Sequence, residues 1–311
     1  MANDSFPAVR RLGADDLSRC VALSVDRAWS AERSKWAMLL DASEAFGVDA
    51  PDRRGLAGAV VLTRWGPDLA SIGMMLVALR YGRRGLGRAL MEHALAEAGG
   101  ATVTLFATDL GRPLYQKLGF QPVRRNVAFV GDFRPDRADA RPARAADWAA
   151  DAPPASVRTA TDADRPAILA LDRAAFGADR SAILTRLPAF ADRIAVLVGP
   201  SGHAGPSADA DLARDGITGY AAAWRSTPAS TVIGPVVAPD PQAAERLITD
   251  LAAHAHGTIR LDLDPDRREL PAWAHKHGLE PVGRTLVMAR GDLPDRGNPA
   301  SLFTPISVAL A

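Results

Sequence analysis

The feature that most restricts the fold of this 311-residue chain is that it matches itself. Leu114-Tyr-Gln-Lys-Leu-Gly-Phe-Gln-Pro-Val123 aligns without gaps to Trp273-Ala-His-Lys-His-Gly-Leu-Glu-Pro-Val282. Lys, Gly, Pro and Val are identical, and Phe120 and Leu279 are both apolar. A second anchor precedes each copy. Val9-Arg10 stands ahead of Asp15, Asp16 and a helical spacing through Leu17, Val21, Val25 and Trp29; Val157-Arg158 stands ahead of Asp162, Asp164, Ile168, Leu171, Ala175 and Phe176. Two anchors in one order predict a duplication, and a repeat far longer than about 50 residues means tandem domains, not a solenoid. Between the copies, residues 132–156 are rich in Pro, Ala, Asp and Arg and read as a linker. The expected domains are therefore residues 1–131 and 157–311.

Composition narrows the function classes. Hydrophobic residues at 48% let each half bury a core of its own. The 37 basic and 36 acidic residues leave a net charge of +1, which speaks against nucleic acid as a general partner. A single cysteine, Cys20, excludes an internal disulfide and a Cys-rich metal site. The longest apolar stretch, Ile72 to Leu79, is far below the ~20 residues that span a bilayer, and Asn3 and Asp4 do not begin a signal peptide. A soluble cytoplasmic protein without a membrane partner is the expectation.

The chemistry concentrates in the first half. Gly58–Trp65, Leu69–Leu79 and Thr102–Ala107 read as strands, and Gly85–Ala98 and Arg112–Leu118 as helices. One strand thus runs through Arg83-Arg84-Gly85-Leu86-Gly87-Arg88 directly into a helix. Glycines let backbone N–H groups approach a phosphate, a helix N-terminus adds unpaired donors, and arginines pair with phosphate oxygens. A tight strand-to-helix turn with a solvated arginine face would use the same residues.

Arg83-Arg84-Gly85-Leu86-Gly87-Arg88-Ala89, followed about thirty residues later by Leu114-Tyr-Gln-Lys-Leu-Gly-Phe120, resembles the two hallmarks of GNAT-type (GCN5-related) N-acetyltransferases. The wording is similar to a bacterial tandem subgroup whose second domain is degenerate. The resemblance implies two α/β domains, each a mixed, mostly antiparallel twisted sheet flanked by helices. It implies acetyl-CoA as acyl donor, with Met75, Leu76 and Val77 pairing the pantetheine arm and Arg83, Arg84, Gly85, Leu86, Gly87 and Arg88 holding the pyrophosphate. Thr108 would touch the pantetheine and Tyr115 would be the general acid. Trp36 falls where the family's variable helices line the acceptor site. The acceptor would be the amine of a small molecule, attacked directly. Asp26, Asp41, Glu44 or a residue of the second half could supply the base. Gly82 and Leu79 depart from the family pattern, which usually has Gln or Arg at the former position and proline at the latter.

The second half serves as a control. Its counterpart strand, Thr231 to Pro239, is followed by Asp240-Pro-Gln-Ala-Ala-Glu-Arg246 without a glycine, and Ala274 replaces Tyr115. Loss of acyl-CoA chemistry there is expected. His254, His256, His275 and His277 form two H-x-H pairs, whose spacing turns them to different helix faces, so no metal is expected. Phe176-Gly-Ala-Asp-Arg180 reads either as a helix stop with a capped restart or as a loop whose Asp179 and Arg180 contact the acceptor. Ser301 to Ala311 is apolar enough to pack as a last strand or at a domain interface. The leading reading is an N-acyltransferase; the alternative is a non-catalytic acyl-CoA-binding regulator whose second domain recruits a partner.

Overall fold

The computed structural model describes residues 6–135, 155–199, 216–295 and 297–310. The first half runs β1 (Arg10–Arg11), α1 (Leu17–Asp26), α2 (Arg33–Ala42), β2 (Glu44–Asp49), β3 (Leu56–Arg64), β4 (Leu69–Val77), α3 (Leu86–Ala98), β5 (Thr102–Ala107), α4 (Arg112–Lys117) and β6 (Gln121–Gly131). The second half runs β7 (Ser156–Thr159), α5 (Arg165–Phe176), α6 (Ser181–Leu184), α7 (Leu187–Phe190), β8 (Arg193–Val198), β9 (Ile217–Thr227) and β10 (Ser230–Val237). It continues with α8 (Pro241–Ala253), β11 (Thr258–Leu263), α9 (Glu269–Lys276), β12 (Glu280–Arg290) and β13 (Leu302–Thr304). Most of the linker read from the sequence, residues 136–154, lies outside the described residues.

Both halves begin with one device. The Arg10 guanidinium holds Asp16 at 2.7 Å, and Arg158 holds Asp164 at 2.7 Å, each six residues on. Each aspartate also accepts from the backbone N–H three residues earlier, Gly13 or Thr161, closing a short 3-10 turn that launches α1 or α5. These pairs sit on the matched segments that open each copy, Val9-Arg10 to Asp16 and Val157-Arg158 to Asp164.

The chain forms two compact units that are not contiguous in sequence. Unit 1 takes residues up to Arg124, 285–294 and from 308; unit 2 takes 125–284 and 295–307. In unit 1 the sheet order is β1-β2-β3-β4-β5, and the end of β12 closes it, Leu286 opposite Ala107 and Arg290 opposite Val103. Among the described residues of this unit, only β4 and β5 are parallel. In unit 2 the end of β6 pairs β11, Val127 opposite Leu263 and Gly131 opposite Ile259, and the order continues β10-β9-β8-β7 with β10 parallel to β11. Each sheet is mixed and mostly antiparallel, as the resemblance implied.

The exchange has a sequence cause. Strands β6 and β12 each have 11 residues, exposed over their first five and carrying their buried side chains beyond Arg125 and Arg284. Both begin inside the matched segments 114–123 and 273–282, so each copy donates the end of its long strand in the same way. Cuts at 131 and 157 follow composition; the compact units follow where those strands bury their apolar ends.

The cores follow from patterning. Strand β3 is buried in all but its last residue and β4 over its first four, as expected where both faces are covered. Helix α3 buries Leu86, Leu90, Met91, Ala94, Leu95 and Ala98, an i, i+4 stripe on that sheet. In unit 2, Leu247, Ile248 and Leu251 of α8 join Ala221, Ile233 and Leu261 in a corresponding core.

Candidate functional site

The site in unit 1 starts from a place where two strands part. Strands β4 and β5 are paired from Leu69 and Thr102 to Ile72 and Leu105, and there the ladder ends. Beyond it β4 stays on β3 as far as Val77 opposite Gly58, while β5 stays on β12. Met74 takes a left-handed φ of 48° at this point, and the β3–β4 register shifts between Ala59 and Val61. The bulge drives the strands apart into a wedge. Past it, Ala78 N–H bonds the Ala57 carbonyl at 2.9 Å on the β3 side. By strand alternation Leu76 also faces β3, and the peptide groups of Met75 and Val77 face the wedge.

The wedge leads to the start of α3. Arg83 has a left-handed φ of 61° and Gly85 one of 81°. For a non-glycine residue this costs roughly 1–2 kcal/mol, strain of the kind that collects at ligand sites. Gly85 is the N-cap and has no side chain to fill the helix N-terminus, so the first amides of α3 keep their donors for an anion. A Cβ on Gly87 would come within 2.9 Å of Met75 Cε and 3.6 Å of both Val77 Cγ2 and Leu114 Cδ2. Strand, helix start and α4 therefore face one another across the space that glycine leaves.

Around that space Arg83, Arg84 and Arg88 are exposed. The Arg84 guanidinium lies 5.8 Å from the Tyr81 ring centre, and Arg88 pairs with Glu92 one turn on. Leu86 buries its side chain in the core, so what it can offer a ligand is backbone; Leu76 is buried too and its peptide groups are turned to β3, so the pairing with a ligand arm expected of Leu76 is not available. Thr108 turns the chain into α4: its carbonyl accepts from Arg112 N–H at 2.9 Å and its hydroxyl from Gly111 N–H at 3.3 Å. Tyr115 stands on α4 next to Leu114, with its ring against Gly111, where any Cβ would fall 3.0 Å from the tyrosine oxygen. Burial alone pushes the Tyr115 hydroxyl up to about 12 from the ordinary tyrosine value. It remains a proton donor across the physiological range.

Unit 2 keeps the same wedge and has filled it. Strands β10 and β11 are paired in parallel only from Ser230 to Val232, after which β10 shifts register against β9 between Ile233 and Val236. Strand β13 then lies along the free edge, Val236 opposite Thr304 and Val237 opposite Leu302. A Cβ on Gly234 would meet the Pro305 carbonyl oxygen at 2.3 Å. At the helix start the Asp240 carboxylate accepts from Ala243 N–H at 2.7 Å, so α8 caps itself where α3 does not. Of the two placements expected for Ser301 to Ala311, a last strand or a domain interface, Leu302–Thr304 forms a last strand, β13, on the edge that has no added strand in the other copy.

Other residues singled out in the sequence are engaged elsewhere. Trp36 is wholly buried and its indole donates to Ser24 Oγ at 2.8 Å, joining α2 to α1 instead of lining an acceptor site. Asp179 accepts from Ser181 N–H at 2.9 Å and from Arg173 at 2.7 Å. Helix α5 ends on left-handed Gly177, so this stretch is a stop with a capped restart. Arg180 is buried against Asp172 at 2.6 Å and over the Phe176 ring, and the Tyr220 hydroxyl also donates to Asp172. This cluster serves the core of unit 2 and could not be read from local pattern, because Asp172 and Tyr220 belong to different elements. Asp26, one of the possible bases, accepts from Leu79 N–H at 2.7 Å, and Glu44 is paired with Arg64 and Arg11. His277 is held by the Trp273 carbonyl and stacked on Phe133. No described helix is long and apolar enough to cross a membrane.

Two copies of one mixed sheet, each with a parallel pair that splays beside a helix start, define an acyltransferase-type fold. Two family profiles, both described as an acetyltransferase (GNAT) domain, match residues 46–122 and 168–303, together more than half of the chain. The chain belongs to the GNAT acetyltransferase family, as a tandem of two such domains. It is 30% identical over 206 residues to the uncharacterized N-acetyltransferase YitH of Bacillus subtilis (strain 168), covering 65% of this chain and 63% of YitH. It therefore spans less than two thirds of that relative's length. A tandem GNAT protein from the clavulanic acid biosynthesis pathway, solved without acetyl-CoA, superposes with a TM-score of 0.62 at 17% identity, over 92% of this chain and 99% of that one. A structure from Pyrococcus horikoshii, provisionally an acetyltransferase, gives 0.72 at 18% identity, over 100% and 99%. At these identities the likeness establishes the fold.

Proposed function

We propose that unit 1 binds acetyl-CoA and transfers its acetyl group to the amine of a small molecule, and that unit 2 has no acyl-CoA site. The observation that carries this reading is the contrast between the copies: α3 begins on Gly85 with its first amides unfilled, beside an unladdered strand edge, while α8 and β10 are occupied by Asp240 and β13. The residues of unit 1 fit the cofactor. The peptide groups of Met75 and Val77 would pair its amides as an added strand would. The amides after Gly85 would hold its pyrophosphate, with Arg83, Arg84 and Arg88 supplying charge. Gly82 has no side chain to add, and this binding mode depends on backbone.

Acetyl-CoA supplies an activated thioester carbonyl that a neutral amine attacks directly, forming the C–N bond as the C–S bond breaks. Tyr115, kept protonated by burial, would give its proton to the departing sulfur, while the proton shed by the attacking nitrogen passes to solvent, from which the phenol is reprotonated. Thr108 acts on the reaction by setting the start of α4, and Gly111 by giving the tyrosine ring its place. The test is a panel of amines offered to the full chain with acetyl-CoA, detecting free thiol. Amine-dependent thiol release is expected. Tight acetyl-CoA binding with no release for any amine would instead support the regulatory alternative.

A further inference from the structure

Residues 308–310 belong to unit 1, and there Ala309 lies against Gly73. A Cβ built on Gly73 would stand 1.9 Å from the Ala309 carbonyl oxygen and 2.8 Å from its carbon. This is an intimate backbone contact that only glycine admits. Leu310 is 1% exposed and forms an isolated β-bridge, so the segment is anchored. Gly73 is the residue just after the end of the β4–β5 ladder and just before left-handed Met74. It marks the vertex of the wedge.

The face can be read from the register. Gly73 is opposite Val61 and Ser71 opposite Thr63, on one side of the sheet. After the bulge, Met75 and Val77 turn toward Gly87 of α3, on the other. The segment therefore closes the vertex from the side away from α3. Ser71, on the segment's side, is fully buried and its hydroxyl has no hydrogen-bond partner. In unit 2 the Pro305 carbonyl makes the corresponding contact on Gly234, but β13 also runs down the strand edge. No strand of the described residues takes that place on β4, whose neighbours are β3 and β5. The same kind of backbone contact thus blocks the whole slot in one copy and only its end in the other.

We propose that Val308–Leu310 is the end wall of the acyl site and sets the length of acyl chain that unit 1 accepts. The inference rests on the acyl-CoA reading above. An arm laid from the start of α3 along Val77 and Met75 reaches Gly73 after four residues, roughly 13 Å at strand spacing. Its acyl group then arrives at the Ala309 carbonyl, with Leu310 behind it. A two-carbon group stops short of this wall. A long chain meets a backbone that cannot yield without unseating Leu310.

The experiment is direct titration of the full chain with CoA, acetyl-CoA, butyryl-CoA and octanoyl-CoA, for wild type and Leu310→Ala. Wild type should bind octanoyl-CoA at least about tenfold more weakly than acetyl-CoA. Leu310→Ala should narrow that gap to about threefold or less while CoA itself binds as before. Equal affinity for the two acyl-CoAs in wild type, or a gap unchanged in the variant, overturns the inference and leaves the cofactor reading intact. Failure of CoA and every acyl-CoA to bind wild type overturns both. If Leu310→Ala does not fold, Leu310→Val should shift the gap in the same direction by a smaller step, and an unchanged gap there counts against the wall.

Discussion

At the scale of single residues, the proposed acyl-CoA site consists of small backbone liberties and one protonated phenol. Replacing Tyr115 by Phe should lower turnover by about 10²-fold or more while leaving acetyl-CoA affinity unchanged, because the ring packing is kept and only the proton is lost. A steady-state rate that does not change would remove its role. Its hydroxyl, raised to about 12 by burial, also has a consequence for stability. A group whose folded value is raised contributes stability below its unfolded value, about 10, and loses it as pH climbs toward 12. Alkaline melts should therefore be steeper for wild type than for Tyr115→Phe over that window. Ser71 offers the opposite case. Its buried hydroxyl lacks a partner, so Ser71→Ala should leave the melting temperature unchanged or raise it, by the equivalent of about 0–1 kcal/mol. A clear loss on thermal denaturation would mean that the hydroxyl is held by a bond.

At the scale of elements, the contrast between α3 and α8 governs the account. A carboxylate at the N-cap satisfies the amides that an anion would otherwise use. Gly85→Asp should thus lower acetyl-CoA affinity by about tenfold or more in a titration, although the left-handed φ of 81° makes the substitution costly in stability as well. The turn from β4 into α3 was legible in the sequence because it rests on glycine spacing, which a string of letters records. The short helix that carries Tyr115 was legible because its signals are local. What fills the wedge of unit 2 was not: Gly234 and Pro305 lie about seventy positions apart, and nothing local in either marks the contact. The assignments of Trp36 and Arg180 missed for a related reason. Their partners, Ser24 and Asp172, sit on neighbouring helices or across a turn, and side-chain burial is decided by packing.

The paired Arg–Asp clasps belong to this scale too. Arg10 holds Asp16 down to about 2, and Arg158 holds Asp164 well below the usual carboxylate range. A depressed carboxylate stabilises the fold above its unfolded value and loses that contribution as pH falls through its folded one. Stability should therefore drop between pH 4 and about 2, and Asp16→Asn should remove part of that acid dependence from thermal melts. An acid limb that is identical in the variant would contradict the assignment.

At the scale of the whole molecule, the duplication predicted two domains and the structure makes them interdependent. Each unit takes the end of a strand from the other half of the chain. Residues 1–131 expressed alone would leave β5 with an unpaired edge where β12 belongs, a state prone to aggregation. Met288 shows the same dependence within the intact chain: it comes from the second half, is fully buried, and pairs with Leu105 of β5. Met288→Ala should destabilise unit 1 by about 2–5 kcal/mol in denaturant unfolding. The sequence could not reveal this exchange, since alternation along β6 and β12 says which residues are buried but not against which strand.

The most direct test of one working copy is calorimetric titration of the full chain with acetyl-CoA. A single saturable site per chain is expected, weakened by Gly85→Asp and indifferent to Asp240→Ala. Two equivalent sites per chain, or no binding to a folded protein, would contradict it.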